Sequence, residues 1–112
     1  MAAVNTLAVA QALLAGRAAG VNAEALVKVM QAGSGGSAML DLKAGPMIER
    51  DFDPLFKLDH MLKDVRHCLA EAEGLGPGFG LGRAAEELYA RAAANGLGER
   101  DFAAVIEAAE SV

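Results

Sequence analysis

Phe56, His60, Lys63 and His67 follow one another at steps of four, three and four. On a helix that spacing places them on one face. A ring, two imidazoles and an amine sharing a face can bind an anion or a nicotinamide. Leu58, Met61, Leu62 and Val65 then form the opposite, buried stripe. The competing reading is a solvated face whose His and Lys side chains have no role, and the helix taken alone leans that way. His60, Asp64 and His67 do not make a convincing metal site. Lys63 stands among them, and its charge opposes a cation. No metal is expected.

Other reactive side chains are less informative. Cys68 is the only cysteine, so an internal disulfide is excluded. It falls on the apolar stripe and reads as a small core residue rather than a nucleophile. Glu86-Glu87 sits on an ordinary solvated helix face, and no Ser/His/Asp order stands out. The run Gly74 to Gly82 gives no G-x-G-x-x-G in any register, and no strand precedes it. It reads as a helix connection. Ser34-Gly35-Gly36-Ser37 lacks the Lys of a phosphate loop and reads as a turn.

The elements that must carry these residues are all helical. Ala2 to Ala19 has Leu7, Ala10, Leu13, Leu14 and Arg17 at helical spacing, and Gly20 is placed to end it. Asn22 can cap a second helix bearing Leu26, Val27 and Met30, closed by Gly33. Ser37 can cap a short helix over Ala38 to Lys43, after which Gly45-Pro46 breaks the pattern. Asp53 as N-cap with Pro54 at the first helical position predicts a long helix to about Glu73. Its buried stripe would continue through Cys68, Leu69 and Ala72. A further helix over Leu81 to Ala94 should bury Ala84, Leu88, Tyr89 and Ala92, with Asn95-Gly96 stopping it. The last, Glu99 to Ala109, should point Phe102, Val105 and Ile106 inward. Nothing alternates with period two long enough to be a strand.

Composition agrees. The chain has 112 residues, enough for one domain with its own core, spanning 1–112. Apolar residues make up 54%, but aromatics only 4%. Abundant Ala lets helix axes approach closely, so the expected fold is an all-α single helical bundle. A net charge of −5 argues against a nucleic acid partner. The start lacks a basic signal-peptide region, and Arg17 and Asn22 interrupt the best apolar run short of the roughly 18 residues a span needs. No membrane partner and a cytoplasmic location are the expectations.

Several of these segments together resemble a known family. Ala10-Gln11-Ala12 through Gly16-Arg17-Ala18-Ala19-Gly20-Val21, Gly33-Ser34-Gly35-Gly36-Ser37, Phe52-x-Pro54-x-Phe56-x-x-Asp59-x-x-x-Lys63-Asp64, and Leu88-Tyr89 through Gly96-Leu97-Gly98-Glu99-Arg100-Asp101-Phe102 occur in the order and spacing of the C-terminal domain of the β-hydroxyacid dehydrogenases. That family includes 3-hydroxyisobutyrate dehydrogenase, tartronate semialdehyde reductase and the glyoxylate/succinic semialdehyde reductases, and is related to 6-phosphogluconate dehydrogenase. The resemblance implies a 6-phosphogluconate dehydrogenase-like helical domain that lines the cofactor and substrate cleft and mediates dimerisation. It implies NAD or NADP as cofactor and a small β-hydroxyacid or its semialdehyde as substrate. Lys63 and Asp64 map onto the family's cofactor-binding Lys-Asp pair, and Phe56, with His60 beside it, onto the substrate cleft. The family's dinucleotide-binding domain is not in this sequence. Its catalytic Lys, a general acid/base on the substrate hydroxyl, lies on a Lys-x-x-Asn-Asn segment that would end immediately before Met1. Asn5 does not match that segment. No catalytic residue is therefore expected in this chain, and the isolated chain is expected to be inactive. Leu55 and the loop Gly78-Phe79-Gly80 depart from the family's usual residues. The alternative is a stand-alone, non-catalytic helical module for oligomerisation or protein interaction.

Overall fold

The computed structural model describes residues 1–111. Six α-helices follow in order: α1 (Ala2–Ala18), α2 (Ala23–Ala32), α3 (Ala38–Glu49), α4 (Leu58–Ala72), α5 (Gly80–Ala92) and α6 (Val105–Glu110). A π-helical turn, Ala93–Leu97, extends α5, and a 3-10 turn, Phe102–Ala104, leads into α6. There is no strand among the described residues, only one isolated antiparallel bridge between Lys57 and Asp101. The all-α helical bundle expected from composition is what forms.

Local chemistry explains most of the boundaries. Gly20 takes φ 77°, a left-handed conformation that costs glycine little. The Asn22 side chain accepts from Ala25 N–H at 2.9 Å, and Ser37 Oγ from Leu40 N–H at 3.0 Å. Gly96, at φ 89°, reverses the chain within the π turn.

Three expected boundaries are wrong, each for a tertiary reason. The last helix does not start at Glu99, because the 98–102 backbone pairs with residues 52–59, and α6 begins at Val105 after the 3-10 turn. α3 does not stop at Lys43 but runs through Gly45-Pro46 to Glu49. Pro46 lacks the N–H that would bond to Leu42, on the exposed side of the helix. Its own carbonyl accepts the Arg50 and Asp51 N–H groups that end the helix. Arg50 sits in the left-handed region at φ 55°. Its guanidinium pairs with Glu110 at 3.2 Å and Glu107 at 3.7 Å, tying that turn to α6. Nor does Asp53-Pro54 start α4, which begins at Leu58. The backbone from Phe52 to Asp59 is taken up by pairing with 98–102: Asp101 N–H donates to Phe52 O (2.9 Å), Phe102 N–H to Phe56 O (3.0 Å), Leu58 N–H to Arg100 O (2.8 Å) and Asp59 N–H to Gly98 O (3.0 Å). Long-range hydrogen bonds override the local start motif here.

α1 packs mainly on α3 and α6, α4 on α5, and α5 on α6. The core contains fully buried Leu40, Met47, Leu58, Tyr89 and Val105 among many alanines, of which Ala10, Ala92, Ala103, Ala104 and Ala108 show no exposure. Those small side chains let the helix axes approach closely. Phe102, Val105 and Ile106 point inward as expected. Two buried-side assignments fail. Ala85, not Ala84, is covered on α5. Cys68 is exposed, because the last turns of α4 keep only Leu69 and Ala72 half-buried.

Candidate functional site

Phe56 is not on the helix that carries His60, Lys63 and His67. It lies near the end of a strap of irregular backbone, 51–57, that leads into α4. The ring still reaches the same surface: it lies edge-on to His60, with centroids 5.7 Å apart and planes at 68°. On its other side Phe102 stands at 6.0 Å and 88°. Such edge-to-face pairs contribute about 0.5–1.5 kcal/mol beyond buried area. Phe56 remains 38% exposed, which leaves room for a ligand against it.

Lys63 and Asp64 lie on the exposed side of α4 beyond His60, with His67 exposed further along. Among the described residues neither Lys63 nor Asp64 forms an ion pair or a side-chain hydrogen bond. An ammonium without an internal partner can pair with a ribose hydroxyl, a phosphate or a substrate carboxylate. An aromatic face, an imidazole and an unpaired amine on one surface suit the nicotinamide side of a dinucleotide. The chain offers less to a pyrophosphate. The Gly74 to Gly80 loop joins two helices and follows no strand, so it is not the βα turn such a group needs. No cluster of His, Cys, Asp or Glu among the described residues can hold a metal.

Two neighbours frame the start of α4. Lys57 Nζ pairs with Glu99 Oε2 at 2.6 Å. Their hydrogen bond and opposite charges push the Lys57 ammonium up and hold the Glu99 carboxyl down from their ordinary values. Gly98 lies directly against the Asp59 carboxylate, and a Cβ there would overlap it.

The residues that organise this region are Asp101 and Lys43, which periodicity did not single out. Asp101 is 2% exposed and Lys43 3%. Asp101 Oδ1 accepts from Leu55 N–H and Phe56 N–H, both at 3.1 Å. Oδ2 accepts from Ala103 N–H at 2.9 Å, capping the 3-10 turn. Lys43 Nζ lies 3.2 Å from Oδ1 and 3.0 Å from Oδ2, and 4.4 Å above the Phe102 ring. Burial pushes the Asp101 carboxyl up, but the Ala103 and Phe56 N–H groups and the Lys43 ammonium outweigh it and hold it below its ordinary value. One hint was present in the sequence. Lys43 shares helical spacing with Leu40, Ala44 and Met47, so a lysine stood on an apolar face.

Comparisons with known proteins agree with the all-helical architecture and extend the reading to a family. The family model described as "NAD-binding of NADP-dependent 3-hydroxyisobutyrate dehydrogenase" matches residues 1–109. The chain is 36% identical to glyoxylate/succinic semialdehyde reductase 2 of Arabidopsis thaliana over 88% of its own length and 28% of that protein's. It is 32% identical to 2-hydroxy-3-oxopropionate reductase of Escherichia coli, over 96% of this chain and 37% of the enzyme. Its structure superposes on a 3-hydroxyisobutyrate dehydrogenase of Salmonella typhimurium with a TM-score of 0.89 at 25% identity, covering 95% of this chain and 37% of the other. The chain thus spans about a third of the length of these proteins. With the family match running over nearly all of it, the chain belongs to the 3-hydroxyisobutyrate dehydrogenase family.

Proposed function

We propose that this chain is the helical C-terminal domain of an NAD(P)-dependent oxidoreductase acting on a small β-hydroxyacid or its semialdehyde. Residues 1–112 form that one domain, which lines the cofactor and substrate cleft and dimerises with a second copy. The observation that carries the reading is the open Phe56–His60 ring pair on the same exposed surface as Lys63, an ammonium with no partner among the described residues. Lys63 binds the cofactor near its nicotinamide end, with Asp64 beside it. Phe56 and His60 wall the substrate side and exclude water from it. The nicotinamide group, when bound, supplies hydride transfer. In the family's enzymes the pyrophosphate site lies in the dinucleotide-binding domain, and the proton-transferring Lys lies on the helix between the two domains. No helix in the structure is long and apolar enough to cross a membrane among the described residues.

A hybrid enzyme tests this. The chain replaces the matching segment of the E. coli 2-hydroxy-3-oxopropionate reductase, and cofactor affinity and turnover are measured. The hybrid turns over, the chain alone does not, and Lys63→Ala in the hybrid weakens cofactor binding about tenfold or more, as expected for losing a charged hydrogen bond of about 1.5–3 kcal/mol. Unchanged affinity in Lys63→Ala makes Lys63 a surface residue and removes the reading's main support.

A further inference from the structure

We infer that the buried Lys43–Asp101 pair is a positioning device for the cleft, holding the 51–57 strap so that the Phe56 ring stands against His60. The inference rests on the reading of Phe56 and His60 as cleft residues. The strap has no regular structure of its own. Phe52, 3% exposed, anchors one end and Leu58, fully buried, the other. Between them Leu55 is 84% exposed and brings no packing to the fold. Within the strap Asp51 Oδ1 accepts from Asp53 N–H at 3.2 Å, and among the described residues the side chain that reaches in from elsewhere to bind its backbone is Asp101, through the Leu55 and Phe56 N–H groups.

The pair also reaches Phe56 from beneath. Lys43 Nζ lies over the Phe102 ring, Phe102 meets Phe56 edge-on, and Phe56 meets His60 edge-on. A buried cation thus stands at the base of an aromatic stack whose top is the candidate site. A buried ion pair is a poor choice for stability alone, because apolar residues of similar volume commonly do as well or better. A carboxylate that gathers N–H groups from two separate segments instead specifies geometry. Asp101 and Lys43 touch neither cofactor nor substrate in this scheme. They act through Phe56.

The test is an aromatic-carbon NMR spectrum of the 112-residue chain with labelled His. Phe56→Leu gives the His60 signal without the neighbouring ring. The double variant Lys43→Met/Asp101→Ser removes the buried charges together, and its Ser keeps a hydroxyl to cap the 3-10 turn. The expected result is that His60 in this variant moves most of the way to its Phe56→Leu position. His67, on the same helix, stays put. A folded double variant with His60 at its wild-type position overturns the inference. Amide hydrogen exchange on the wild-type chain needs no variant: the Leu55 and Phe56 N–H groups must be protected, and exchange at unstructured-peptide rates also overturns it. Adding NADPH to the wild-type sample separates the two claims. A His60 signal that ignores NADPH counts against the cleft reading, whereas the ring contact and its loss are measured without ligand.

Discussion

Removing Asp101 should cost more than removing Lys43, although the two form one ion pair. Asp101→Ala strips the partner from a buried ammonium and leaves the Leu55, Phe56 and Ala103 N–H groups without their acceptor. Breaking a buried pair from one side costs about 3–5 kcal/mol. Losing the cap on Ala103 adds about 1 kcal/mol, and the two stranded strap donors add to that. Lys43→Met leaves a buried carboxylate that keeps all of those backbone donors, so its cost should lie near the low end, about 3 kcal/mol. The lost contact with the Phe102 ring contributes a smaller part. Urea unfolding followed by circular dichroism at neutral pH gives both values, and an unchanged slope shows that the same surface is exposed. Small domains hold only about 5–15 kcal/mol in total, so both losses are readily measured. Lys43→Met costing as much as Asp101→Ala, or more, would refute the idea that the carboxylate organises this region.

Acid should act through the same residue. The Asp101 carboxyl is held below its ordinary value of 3.8, so the stability it contributes is present above that pH and lost as pH falls through the folded-state value. The midpoint of urea unfolding should fall as pH drops below about 4, and this fall should be smaller in Lys43→Met/Asp101→Ser. Tyr89, fully buried, donates its hydroxyl to the Ala3 carbonyl at 3.1 Å and ties α5 to the start of α1. Tyr89→Phe should cost about 1 kcal/mol in the same assay. Burial pushes the Tyr89 phenol above its ordinary 10.0, so the wild-type chain should lose stability as pH rises beyond that value and Tyr89→Phe should lose less. Gly98→Ala should displace the Asp59 carboxylate from the start of α4, seen as a shifted Asp59 amide resonance and a lower melting temperature.

Helical content and several boundaries were legible because local chemistry decides them. Asn22 and Ser37 cap, Gly20 and Gly96 reverse the chain, and Leu58, Met61, Leu62 and Val65 form a buried stripe at the expected spacing. The failures occur where distant partners outweigh local preference. Asp53-Pro54 has the chemistry of a helix start, but Asp101 and the 98–102 backbone claim the strap's hydrogen-bonding groups. Pro46 should stop a helix, yet α3 continues for a last turn that α6 holds through Arg50. The site shows the same division. That Lys63 and His60 share an exposed face of α4 was readable from spacing. Phe56 reaches that surface from outside the helix, and its support by Asp101, dozens of residues away, has no local pattern.

The central claim is that the surface from Phe56 to Asp64 is the cofactor side of a dehydrogenase cleft. Backbone amide resonances of the chain, followed as NADPH or NAD is added, test it most directly. Without a pyrophosphate site, binding should be weak, with a Kd on the order of 1 mM or above. The account predicts fast-exchange shifts concentrated on Phe56, His60, Lys63 and Asp64, sharply reduced in Lys63→Ala. Shifts centred on the Gly74 to Gly80 loop, or none anywhere at millimolar cofactor, would contradict it.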